Sequence, residues 1–263
     1  MLGIIGFGNM AEAITKGVLA GHLMEPSEIL ASRRDEKKRK EAETTYGIKT
    51  TADNCEVVKQ ADILLLAVKP QMLVDVISEI RPFVGKDQLV ISIAAGKSIK
   101  WLCEQFGQTM KIVRCMPNTP ALVGEGCSGI CFNALVSEEE KAYVLSLFDS
   151  LGLASEVPES LMDVVVGVSG SSPAYVFMFM EAMADAAVLA GMPRKQAYEF
   201  TAQAVLGSAK LMLETGKHPG ELKDMVCSPG GTTIEAVKVL EEKGMRAAVM
   251  DAMEACINRS REL

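Results

Sequence analysis

A chain of 263 residues with 49% hydrophobic and 23% charged content can bury a substantial core, in one large domain or two modest ones. Its formal charge of -7 argues against nucleic acid or an anionic membrane as a partner, because such surfaces call for concentrated positive charge on the protein. Seven cysteines, an odd number with no Cys-x-x-Cys pair, and a first segment without basic residues point to a reduced cytoplasmic protein that acts on a small molecule.

Up to about residue 157 short apolar runs alternate with polar, helix-like stretches. The runs are Leu2 to Ile5, Glu28 to Ser32, Asp62 to Val68, Gln88 to Ile93 and Lys111 to Cys115, followed by Ser128 to Phe132 and Ala154 to Val157. Strands joined by crossover helices give this texture, so residues 1–157 are expected to form an α/β Rossmann domain with a doubly wound, mostly parallel sheet. The unbroken apolar run from Ile63 to Val68 suits a strand covered on both faces.

From Pro158 the chain turns Ala- and Met-rich with no convincing strand, and residues 158–263 are expected to be all-helical, with five or so helices. Ser172-Pro173 reads as a helix start and Gly191 with Pro193 as its stop. Gly216, the Ser228-Pro229-Gly230-Gly231 loop and Gly244 mark later breaks. The uncharged stretch Val164 to Met180 is interrupted by Gly167, Gly170 and Pro173, read as a Ser-rich turn, which argues against a membrane span. Between Pro173 and Ala190 the only charges are Glu181 and Asp185, on one narrow stripe. A helix apolar nearly all round must be covered on most sides. A homodimer is therefore expected, open to further assembly of dimers, with a helix sandwiched inside its own chain as the alternative.

Gly6-Phe7-Gly8-Asn9-Met10-Ala11 follows the first strand and opens a helix, which is the dinucleotide fingerprint in its required strand-to-helix setting. Gly6 permits the turn, Gly8 lets backbone approach a pyrophosphate, and Ala11 keeps the helix close to the strand. At the tip of the second strand, where an NAD enzyme would carry a carboxylate, the chain has Ser32-Arg33-Arg34, which suits the 2′-phosphate of NADPH. NADPH is the expected cofactor, with NADH as the weaker alternative. Asp35 is a mild counter-signal, and Lys37 to Lys40 read as a solvated helix face. The other expected cofactor contacts are Asn54, the strand exits Ala67-Val68-Lys69-Pro70 and Ala94-Ala95-Gly96, and Asn118 in the stiff loop Met116-Pro117-Asn118-Thr119-Pro120.

His22 and His218 both sit in loop-like settings, and no metal-ligand spacing, Gly-x-Ser-x-Gly elbow or Walker loop is present. No metal is expected, and the cofactor must carry most of the chemistry. The segment Cys227-Ser228-Pro229-Gly230-Gly231-Thr232-Thr233 ahead of an amphipathic helix could cradle a carboxylate at the helix N-terminus, although an ordinary capped loop would have the same composition.

Those segments, together with Ser169-Gly170-Ser171-Ser172-Pro173-Ala174-Tyr175 and Asp224 through Thr233, occur in an order and spacing that resembles the pyrroline-5-carboxylate reductase family over the whole chain. The resemblance implies a Rossmann domain followed by a helical dimerisation domain, and NADPH-dependent reduction of 1-pyrroline-5-carboxylate to proline. It further implies that Ser228 and the backbone around Gly231 and Thr232, with Gly230, hold the substrate carboxylate, while the Thr233 hydroxyl bonds the ring nitrogen. Ser172 departs from the family pattern, standing at a usual glycine. Two other readings fit a Rossmann-plus-helix chain. One is a 3-hydroxy-acid dehydrogenase, for which Lys210 is the available acid-base group; the other is a non-catalytic NADPH-binding protein.

Overall fold

Strand register places the functional edge of this protein. The computed structural model describes residues 1–262, and its contacts divide the chain into two units: Met1–Ser171 joined by the residues from Cys256 on, and Ser172–Ala255. The first unit carries strands β1 Leu2–Ile5, β2 Ile29–Ser32, β3 Lys49–Thr51, β4 Ile63–Leu66, β5 Leu89–Ser92, β6 Lys111–Met116, β7 Gly126–Phe132 and β8 Gly152–Glu156. They form one sheet in the order β3-β2-β1-β4-β5-β6-β7-β8, parallel except between β6 and β7. Crossing from β1 to β3 on one side and to β4 on the other puts a topological switch beside β1.

Helices α1 Asn9–Ala20, α2 Glu36–Tyr46, α3 Asn54–Gln60, α4 Leu73–Ile80, α5 Ile99–Phe106 and α6 Glu138–Asp149 cover the sheet. Alternation along each strand decides which core a side chain enters. Ile4 and Leu65 join Ile14, Val18 and Phe148 on one face, whereas Ile5, Leu64 and Leu66 join Val57, Ile77 and Leu102 on the other. Burying each such aliphatic side chain contributes about 1.5–3 kcal/mol. Local signals agree with the packing. Ser98 caps α5 by accepting the Trp101 N–H at 3.1 Å, and Ser137 and Glu140 close a capping box on α6.

Three sequence expectations are corrected. Glu28 closes a 3-10 turn, Pro26–Glu28, so β2 begins at Ile29. The edge strand β3 was not foreseen, because Lys49–Thr51 is polar and half-exposed and carries no apolar run. Gly167 and Gly170 do not make a turn. They lie in a π-helical segment, Val166–Gly170, that follows α7 Met162–Val165 and leads into α8. Widening to i to i+5 bonding, seen in the 2.8 Å bond from Ser171 N–H to the Val166 carbonyl, accommodates both glycines in helical backbone up to Gly170. Among the described residues one helical stretch, Glu159–Leu189, is long and apolar enough to cross a membrane by length and composition.

The second unit holds α8 Ser172–Leu189, α9 Arg194–Thr215, α10 Pro219–Val226, α11 Thr232–Glu242 and most of α12 Met245–Arg261. Gly191, at φ 97°, ends α8 as expected, and Gly216, at φ 62°, ends α9. Among the described residues of this unit only Ala184, Ala197 and Thr201 are buried. Large apolar side chains lie open in the single chain, with Phe177 62%, Met178 70% and Leu213 80% exposed. The last turn of α12 belongs to the first unit, where Ser260 donates to Asp163 Oδ1 at 2.7 Å and the buried Arg114 lies 3.5 Å from Glu159 and 3.8 Å from Asp163.

Candidate active site

Ile5 is level with both Ser32 and Leu66, and Leu66 with Ser92. The C-terminal ends of β2, β1, β4 and β5 therefore stop at one height, and the segments that follow leave from a single edge of the sheet. A cavity of about 470 Å³ opens there. It is lined by Gly6, Phe7 and Gly8 from the β1 exit, by Ser32, Arg33, Arg34 and Asp35 from the β2 exit, and by Ala52, Asn54, Ala67, Val68 and Lys69. Gly6 sits at φ 89°, and a Cβ there would stand 2.6 Å from Val68 Cγ1, so only glycine lets β1 turn this close to the β4 exit. Gly8 is the N-cap of α1 and no side chain caps that end. The first-turn N–H groups, at Asn9, Met10 and Ala11, are left for an anion. Ala11 itself is buried against the core.

At the β2 tip the Arg33 guanidinium donates to the Phe7 carbonyl, and its backbone N–H to Thr51 at 3.0 Å. Arg39 Nη1 donates to the carbonyls of Arg33 and Arg34 at 2.8 and 3.0 Å, holding the two-arginine turn in shape. Asp35, the counter-signal, has another task. It caps α2 by accepting the Lys38 N–H at 3.1 Å, and that bond, with Arg33 nearby, holds its carboxyl below the usual range. The predicted run Lys37–Lys40 begins on α2, where Lys40 pairs with Glu36 in solvent.

Ala94, Ala95 and Gly96 follow the next strand end along, with Gly96 at φ 73°. Pro70 opens a short 3-10 turn. These four residues, like Asn9, Met10 and Ala11, do not line the cavity. Asn118 is 8% exposed, its amide engaged at 3.0 Å with the Ser169 carbonyl and at 2.8 Å with the Cys127 N–H. Sequence reasoning missed Met72, Val76 and Glu79, which α4 and its approach bring to the cavity wall. Their signal was helical spacing after Lys69-Pro70, as Val76 and Glu79 stand three residues apart on one face.

In the second unit the loop before α11 has the geometry of a cradle. Gly230 sits at φ 66°, and Gly231 is the N-cap of α11 with no side-chain cap. A Cβ on Gly231 would stand 2.5 Å from Ser228 Oγ, which folds the serine hydroxyl over the helix start. Thr232 and Thr233 are the first two helical residues, so their N–H groups have no intrahelical acceptor. Uncapped N–H groups with neighbouring hydroxyls favour an anion.

The other titratable candidates are occupied. His218 caps α10 by accepting the Gly220 N–H at 3.1 Å, and His22 occupies a turn at φ 52°. Lys210 pairs with Glu214 at 3.6 Å, both about two-thirds exposed, as on an ordinary solvated helix face. Asp53, Cys55 and Glu79 have potential ligand atoms within 4.8 Å of one another, but Asp53 accepts the Cys55 N–H and Glu79 accepts from Asn54. All seven cysteines are free.

Residues 159–263 match the family described as pyrroline-5-carboxylate reductase dimerisation, and residues 1–96 match NADP oxidoreductase coenzyme F420-dependent. The pyrroline-5-carboxylate reductase of Escherichia coli is 54% identical over 262 residues, covering 100% of this chain and 97% of its own. The structure of a pyrroline-5-carboxylate reductase from Coxiella burnetii superposes with a TM-score of 0.92 at 36% identity, over 99% of this chain and 97% of the other. That of Plasmodium falciparum pyrroline carboxylate reductase with NADP bound gives 0.90 at 33% identity, over 99% and 97%.

Proposed function

The chain belongs to the pyrroline-5-carboxylate reductase family, and we propose that it reduces 1-pyrroline-5-carboxylate to proline with NADPH through the two cradles described above. It is an oxidoreductase acting on a C=N bond. The observation that carries the cofactor assignment is the β2 tip: Arg33 and Arg34 line the cavity, and Asp35, the carboxylate that lines it beside them, is engaged in capping α2 through the Lys38 N–H. Gly6 to Ala11 would hold the pyrophosphate, Arg33 and Arg34 the 2′-phosphate, and Asn54, Ala67 to Pro70, Ala94 to Gly96 and Asn118 complete the cofactor set. NADH is the weaker cofactor.

When bound, NADPH supplies a hydride to the imine carbon. What the chain must add is orientation and one polar group at nitrogen, because a protonated cyclic imine is already electrophilic. Ser228, Gly230, Gly231 and Thr232 would hold the substrate carboxylate; charge-assisted bonds of this kind contribute about 1.5–3 kcal/mol each, enough to select a carboxylate without an arginine. The Thr233 hydroxyl would bond the ring nitrogen as the C=N bond becomes C–N. The absence of an acid-base histidine is then no obstacle.

Residues 1–157 serve as the NADPH-binding domain and residues 158–263 as the dimerisation and substrate-binding domain. The exposed apolar faces of α8 and α9 are covered in a homodimer rather than by lipid, and the protein works in the cytoplasm. Steady oxidation of NADPH on adding 1-pyrroline-5-carboxylate, with none of NADP reduction by a 3-hydroxy acid, is the expected result. No oxidation with the imino acid would overturn the reading.

A further inference from the structure

The β2 tip carries a hydrogen-bond relay whose direction is fixed from outside the nucleotide fingerprint. Glu79, on α4, accepts from Asn54 Nδ2 at 2.9 Å, and Asn54 Oδ1 lies 2.7 Å from Ser32 Oγ. A carboxylate only accepts, so the Asn54 nitrogen must face Glu79 and its oxygen must face Ser32. That oxygen is also only an acceptor, so Ser32 spends its single proton on Asn54. The other group in reach of the hydroxyl, the Ile4 carbonyl at 3.5 Å, is likewise an acceptor. Ser32 is 2% exposed and lines the cavity together with Asn54 and Glu79. What it presents to the cavity is therefore a lone pair.

A lone pair suits a ribose hydroxyl, which can donate, and does not suit a phosphate, which accepts. We propose that Glu79 is a specificity-determining positioning residue: by fixing Asn54 and through it the Ser32 proton, it weakens the hold on the 2′-phosphate and preserves the use of NADH. The proposal rests on the assignment of the cavity to NADPH. The negative charge of Glu79 on the cavity wall acts in the same direction, through repulsion of a phosphate dianion. Arg33 and Arg34 supply the preference for NADPH, and the relay sets how large it is.

Glu79→Gln tests the relay, because a glutamine amide can donate as well as accept and lets Asn54 turn its nitrogen toward Ser32. Dissociation constants for NADPH and NADH are measured by nucleotide fluorescence on the dimeric protein, beside Glu79→Asp, Arg33→Ala/Arg34→Ala and melting temperatures. Glu79→Gln should tighten NADPH by roughly three- to tenfold, the scale of one hydrogen bond, without tightening NADH, and Glu79→Asp should keep the wild-type ratio. An unchanged NADPH to NADH ratio in Glu79→Gln, or an equal loss for both with a lowered melting temperature, overturns the relay. If the double arginine variant loses NADPH while the Glu79→Gln ratio stays fixed, the relay alone fails; if it loses neither cofactor, the phosphate assignment fails and the relay with it.

Discussion

The side-chain nitrogen of Asn118 donates to the carbonyl of Ser169 at 3.0 Å. That carbonyl is available because Pro173, four residues on, has no N–H to offer it. The same side chain accepts the Cys127 N–H through Oδ1 at 2.8 Å, so one amide ties the β6 exit to β7 and to the π-helical segment.

Asn118→Ala removes both bonds and leaves two inward-facing backbone groups without partners. A loss of about 2 kcal/mol is expected, read as a fall in Tm of roughly 4–8 °C. Asn118→Asp should be worse at neutral pH, since it sets a carboxylate against the Ser169 carbonyl. If Tm held in both variants, the two bonds would not pin the fold, and a drop in NADPH affinity would then leave Asn118 with its cofactor role alone.

A second prediction concerns pH. Burial works against the charge on Glu140, but Lys111 Nζ at 2.7 Å and the Ser137 donors more than offset it, and the carboxyl lies below its ordinary value. A depressed folded value means stability that is present above the unfolded pKa, about 4.3, and lost as pH falls through the folded one. Glu140→Gln should therefore melt roughly 2–4 °C below wild type at pH 7, and the gap should close below about pH 4. A gap independent of pH would show that charge has no part in it.

Dimerisation has its own test. With only Ala184, Ala197 and Thr201 buried among the described residues of the second unit, the helices lack a core of their own. Light scattering on dilute protein should return at least twice the 28.2 kDa of one chain. Phe177→Asp, at a side chain 62% exposed in the single chain, should lower both mass and Tm. A fully active monomer, or an unaltered Phe177→Asp protein, would reject the interface.

Sequence and structure agree where a local rule dominates. The run Ile63 to Leu66 is a strand because both of its faces are apolar, and Gly6 turns because no side chain fits beside Val68. Three features were hidden for physical reasons. The strand β3 is made by its pairing with β2, through Leu30 to Lys49, and not by its own polar residues. Gly167 and Gly170 read as a turn because a π-helical bulge has no sequence period of its own. Glu79 lines the cavity at the β2 tip through the packing of α4, outside the segment that carries the glycine fingerprint.

The last prediction concerns Thr233, the second residue of α11. Its resemblance-based role is to bond the ring nitrogen, and the competing role would be to cap the helix. The structure assigns the cap position to Gly231, and no side chain, that of Thr233 included, caps the helix end. Thr233→Ala should then spare the stability of about 1 kcal/mol that loss of a cap removes, and Tm should stay near wild type. The backbone cradle is also untouched, so KM for the imino acid should change little. A bond at nitrogen that strengthens as the imine becomes an amine contributes to the transition state, and losing about 1.5–3 kcal/mol there lowers kcat roughly ten- to a hundredfold. NADPH affinity should be unaffected, because the change lies at the imino acid and not at the nucleotide. An unchanged kcat with a lowered Tm would reverse the assignment and make Thr233 a structural residue of the helix start.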